Sequence, residues 1–155
     1  MSKLMSRRGR KGFTLVELAV VIVIIGVLAS FGVPKFMQSV ERSKAAESFN
    51  FLSAVRDAEE RYQAISGTYS SVWTDLDISW KNDGTAAATP ALQYFTITTT
   101  TATASTWSCT LTRVGASGSY TAYTVVYTQD GFDTSSSIPA AISPLGNSTP
   151  SVAGG

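Results

Sequence analysis

Lys11-Gly12-Phe13-Thr14-Leu15-Val16-Glu17-Leu18 opens an apolar run that continues to Val33. Across the 21 residues from Phe13 to Val33, Glu17 is the only charged side chain. A carboxylate in hydrocarbon costs roughly 2.5–3.5 kcal/mol on insertion scales, so it marks a function by default and calls for a partner. A helix of that length rises about 31 Å, enough to cross the hydrocarbon layer. A secretory signal would have a shorter apolar region followed by an A-x-A site, and Leu28-Ala29-Ser30-Phe31-Gly32 has none. The reading is therefore a retained membrane helix.

Towards the amino terminus, Lys3, Arg7, Arg8, Arg10 and Lys11 put five positive charges and no acid into residues 1–12. This flank orients the terminus to the cytoplasmic side. The chain carries +1 overall, so the remainder is acidic at −4. An acidic body is a poor match for nucleic acid, whose affinity comes from Lys and Arg on phosphates. Histidine is absent and Cys109 is alone. That removes Ser-His and Cys-His nucleophile pairs, an internal disulfide and a conventional Cys/His zinc site. No enzyme chemistry and no cofactor are predicted.

Beyond Pro34 the pattern becomes amphipathic. Ala45, Phe49, Leu52, Val55, Ala58, Tyr62 and Ile65 recur at helical spacing, and the charged residues mostly avoid that stripe. Ser66-Gly67 ends the helix. Gly26, Gly32 and Pro34 weaken it between its two halves. From Gln93 the period falls to two, predicting strands at Gln93–Thr99, Ser105–Val114 and Tyr120–Thr128. Trp107, Cys109 and Leu111 share one face, as do Tyr123, Val125 and Tyr127. Trp73 and Trp80 read as packing residues, Cys109 as a small buried hydrophobe. Asn82-Asp83-Gly84 is a turn signal, and Asn147-Ser148-Thr149 a weak glycosylation sequon. Asp130 and Asp133 are weak calcium candidates, two carboxylates being few for a cation that takes six to eight oxygens.

These elements predict an α+β fold: a long amino-terminal helical stalk, its first half transmembrane, packed on a small antiparallel β-sheet head. The divisions are a basic leader at 1–12, a transmembrane half at 13–33, an amphipathic half at 34–66, a head at 67–133 and a flexible Ser/Pro/Ala/Gly-rich tail at 134–155.

Gly12-Phe13-Thr14-Leu15-Val16-Glu17-Leu18, with the basic leader before it and Pro34 after the apolar run, resembles the signal of type IV pilins and type II secretion pseudopilins. Gly67-Thr68-Tyr69 is similar to the segment that follows the helix in that family, although Ser70 stands where a proline is usual. The resemblance implies that a prepilin peptidase cuts between Gly12 and Phe13 and that Phe13 becomes N-methylated. It also implies that Glu17 pairs with the Phe13 amine of a neighbouring copy in a helical homo-oligomer. An inner-membrane assembly platform, an assembly ATPase and a secretin would serve that assembly. The subunit would wait in the inner membrane, then enter a cell-surface pilus or a periplasmic pseudopilus. The pilus is preferred, because the calcium loop common in major pseudopilins cannot be mapped here and the Thr-rich head suits a water-exposed surface. A major-type pseudopilin is the alternative, and a membrane-anchored binding protein that never polymerises stands behind both.

Overall fold

The computed structural model describes residues 12–78, 80, 89–115 and 120–145. The expected turn at Asn82-Asp83-Gly84 and the sequon at Asn147 lie outside them. One helix and four strands form: α1 (Leu15–Ser66), β1 (Phe95–Ala102), β2 (Trp107–Arg113), β3 (Thr124–Thr128) and β4 (Gly131–Phe132), with a short 3-10 turn at Trp73–Asp75. The chain divides into two units, Met1–Met37 and Gln38–Gly155.

In the first unit the described residues are an approach of three residues and the amino-terminal part of α1. Their large apolar side chains are exposed, from Phe13 at 83% to Phe36 at 67%. Among the described residues, α1 is the one helix long and apolar enough to cross a membrane, by length and composition. Helix is maintained through Gly26, Gly32 and Pro34. Pro34 has no N–H, so the Ser30 carbonyl loses its intrahelical donor.

The second unit is an α+β head. Its sheet is antiparallel, in the order β1-β2-β3-β4. Leu111, Cys109 and Trp107 from β2 and Val125 and Tyr127 from β3 face Ala45, Phe49, Leu52 and Val55 of α1 in one core. That is the expected stripe on the expected faces. Phe49 stacks on Phe132 with ring centroids 5.5 Å apart, and Phe51 meets Trp73 at 6.0 Å and Trp80 at 5.2 Å. Both tryptophans therefore pack as the sequence implied.

The strand bounds differ from the expected ones for local reasons. The Glu47 carboxylate accepts the Gln93 and Tyr94 amides at 2.7 and 2.9 Å, so the β1 ladder begins only at Phe95. At the other end, the Thr103 amide donates to the Thr106 carbonyl at 2.8 Å, closing a turn where a strand from Ser105 was expected. Tyr120–Tyr123 run without a ladder, and β3 starts at Thr124. The stripe also ends early: Ile65 is 88% exposed.

The region from Thr134 needs correction. A flexible tail was expected, yet its described part, to Leu145, is bonded to the head. The Val126 amide donates to Ser136 Oγ at 2.9 Å, and the Ser137 amide to the Thr124 carbonyl at 3.1 Å, along β3. Ile142 is fully buried in the core. Gln38 Nε2 donates to the Ala141 carbonyl at 2.9 Å. Serine hydroxyls supply edge bonds here that a composition reading takes for disorder.

Candidate functional site

The sequence points to the start of α1, and the geometry there is local. The Glu17 amide donates to Thr14 Oγ1 at 3.2 Å. In return the Thr14 amide and hydroxyl both donate to Glu17 Oε2, each at 3.2 Å. This is a capping box, with Thr14 at the cap and Glu17 three residues on, satisfying donors that a helix start leaves free. An acid in the first turn also complements the positive end of the helix dipole. The carboxylate thus has an internal partner, and it is held within one residue of Phe13. Thr14 was not singled out from sequence, although the spacing Thr14-x-x-Glu17 is itself the signal. Gly12, Phe13 and Glu17 lie together at this end of the chain. Gly26 and Gly32 lie within the same helix, each with open space where a Cβ would stand.

The two weak calcium candidates sit elsewhere. The Asp133 carboxylate accepts the Ser135 amide at 2.7 Å, and the Ser135 side chain, followed by that amide, holds its carboxyl below the usual range. Asp130 accepts from Gln129 Nε2 at 3.0 Å and borders a groove shared with Arg56, Asp57 and Glu60. No group of three potential metal ligands forms among the described residues.

The head's own charged centre was not anticipated. Glu41, on α1 and 4% exposed, accepts Arg113 Nε at 2.6 Å and Nη2 at 3.2 Å. Tyr123 OH donates to the same carboxylate at 3.3 Å, and Lys44 Nζ lies 3.6 Å away. Burial alone would raise the Glu41 carboxyl, but the Arg113 hydrogen bond and the Arg113 and Lys44 charges outweigh it, and the net shift is downward. Burial raises the Tyr123 phenol, and the Glu41 charge adds to that. Arg113 also donates to the Tyr94 carbonyl at 3.2 Å. The cluster ties helix to sheet, and its one carboxylate, Glu41, is taken up by Arg113, Tyr123 and Lys44. Cys109 is buried, and burial pushes its thiol up to about 12, far from a reactive thiolate.

A basic approach and a capped acid opening an apolar helix stand in one chain with a small antiparallel sheet. The family described as the prokaryotic N-terminal methylation motif matches residues 7–33. Fimbrial protein EcpC of Eikenella corrodens is 38% identical over 65 residues, 42% of each chain. Type II secretion system core protein G of Aeromonas hydrophila is 36% identical over 86 residues, 56% of this chain and 59% of its own length. The type IV major pilin protein PilA of Myxococcus xanthus is 38% identical over 66 residues, 43% of this chain and 30% of its own. The chain thus spans between about a third and three fifths of the length of these relatives. No solved structure matches it significantly. The motif, the α+β fold and these relatives support membership of the type IV pilin and type II secretion pseudopilin family.

Proposed function

We propose that the chain is a major-type pilin, a structural subunit of a type IV pilus-like filament. Prepilin peptidase cuts it between Gly12 and Phe13, Phe13 is N-methylated, and the subunits polymerise through their amino-terminal helices. The observation that carries this reading is the lone acid at the start of an exposed apolar helix. Glu17 is pre-positioned by Thr14 within a turn of the junction where the new amine would appear. In the fibre, the Phe13 amine of a neighbouring copy would pair with that carboxylate away from water. Removing one member of such a pair costs about 3–5 kcal/mol. Before assembly the apolar half of the helix would hold the subunit in the inner membrane as a single pass, with the basic leader on the cytoplasmic side. Gly26, Gly32 and Pro34 would let that segment give up helical bonds as the subunit leaves the membrane. The assembly platform, ATPase and secretin are the partners this requires. No catalytic role is assigned.

Similarity to protein G makes the major pseudopilin of a secretion system the second reading. Glu17→Ala tests assembly: its mass should show normal cleavage and methylation at Phe13, while filaments in sheared surface material fall to a small fraction of the wild-type amount. Normal fibres from that variant would sink the proposal. Wild-type subunit that is processed but absent from sheared surface fibres would favour the pseudopilin.

A further inference from the structure

Glu59 lies on α1 with no solvent exposure at all, among the largest fully buried side chains of the head. It is outside the assembly site and outside the Glu41–Arg113 cluster. One of its oxygens, Oε2, accepts the Ser70 amide at 3.0 Å. The other, Oε1, is buried without any hydrogen-bond partner. Ionised carboxylates are almost never buried this way unless a cation or several donors satisfy them. Here none does. On its own helix, Arg56 is engaged by Glu60 at 2.9 Å and Arg61 by Asp77 at 2.6 Å. Across the core, the ionisable group that feels the Glu59 charge is the Cys109 thiol of β2, which is neutral. On the returning loop, Asp75 accepts from Ser70 Oγ at 2.8 Å, so that loop brings a carboxyl and not a cation. Burial accordingly raises the Glu59 carboxyl, offset in part by the Ser70 amide.

The Ser70 bond makes this more than a local oddity. Ser70 begins the segment that turns back onto the helix: its hydroxyl accepts the Val72 amide at 3.0 Å, and the segment delivers Trp73 to Phe51 and buries Leu76. We propose that Glu59 is a proton-operated latch, which holds the Ser70–Leu76 loop on the helix while protonated and releases it on ionisation. The neutral carboxyl keeps its carbonyl lone pairs for the Ser70 amide at little burial cost. The carboxylate must be hydrated, and the loop that covers it is the element that moves to admit water.

The sign follows from linkage. The open state carries a solvated Glu59 near its ordinary value of 4.5, and the docked state a raised one. Opening therefore becomes easier as pH rises from about 4.5, by up to about tenfold per pH unit, until the docked value is passed. Amide exchange on the full-length protein in detergent micelles, corrected for intrinsic rates, reads this directly. Protection at Ser70–Leu76 should fall by about tenfold or more between about pH 4.5 and about pH 7. The carboxyl carbon resonance of Glu59 should titrate above about pH 4.5, in step with the loss of protection. Glu59→Gln should keep the loop protected and make it insensitive to pH. A flat wild-type profile, or a Glu59 resonance already ionised at about pH 4.5, would overturn the latch. Should Glu59→Gln fail to fold, the two wild-type measurements still decide.

Discussion

Glu41 and Glu59 are two buried acids on one helix with opposite environments, and they carry opposite pH signs. Arg113 and Lys44 overcome the burial of Glu41, so its stabilising contribution is complete above about 4.5 and is lost as pH falls through its lowered value. Arg113 has a side chain only 1% exposed. Arg113→Ala leaves Glu41 buried without its bidentate partner, with only Tyr123 and Lys44 beside it, and is expected to cost about 3–5 kcal/mol at neutral pH. Urea unfolding of the detergent-solubilised chain, followed by near-UV circular dichroism, measures this. The cost should shrink in acid, where Glu41 protonates, and the Glu41→Ala, Arg113→Ala double variant should cost clearly less than the two single variants added. Sequence made Glu17 legible, because a lone charge in an apolar run has no ordinary explanation. Glu41, Glu59 and Arg113 were not legible: charged residues at helical and strand spacing read as solvated faces, and their partners are distant in sequence.

The helix was legible over almost its whole length, since an apolar run and a periodic stripe both survive changes in context. The strands were legible in face but not in extent. Threonine suits strand and turn alike, and hydrogen bonds decided between them: Glu47 takes the amides before β1, and Thr103 Oγ1 takes the Thr106 amide at 3.0 Å in the turn before β2. The hairpin from β3 to β4 shows what one residue contributes to an element. Gly131 pairs with Thr128 at a φ of 105°, and a Cβ there would stand 3.4 Å from Arg56 Nη1. Gly131→Ala is expected to cost about 1–2 kcal/mol, from a backbone region that L-residues avoid. Gly115 also has positive φ, at 64°, but lies in open space and at a φ within the range of the left-handed helical region. Gly115→Ala should therefore cost less, about 1 kcal/mol or under. The same unfolding assay ranks the two, and equal costs would show that the distinction between the φ regions and the Arg56 contact contribute nothing.

At the scale of the whole molecule, two kinds of apolar surface are encoded separately. Residues 13–33 carry theirs outward on one helix, whereas the head encloses its own between α1 and the sheet. Hydrocarbon insertion depends on the first and needs no head packing. Folding of the head depends on the second. Leu111, on β2 and fully buried, tests this separation. Leu111→Ala removes an isopropyl group from a core this small and leaves a cavity, at a cost of about 2–5 kcal/mol. For a domain of this size that is a large part of the total stability. The expected outcome is a head that unfolds at much lower urea and is cut readily by added protease. The protein should nonetheless remain with membranes after alkaline carbonate extraction, as fully as wild type. A matched change in the span, Val23→Lys, should do the reverse, because a lysine at mid-helix opposes insertion by about 2.5–3.5 kcal/mol, and Val23 is not one of the head-core residues. If Leu111→Ala released the chain from membranes, head and anchor would be one cooperative structure, and the two-part reading of this sequence would fail.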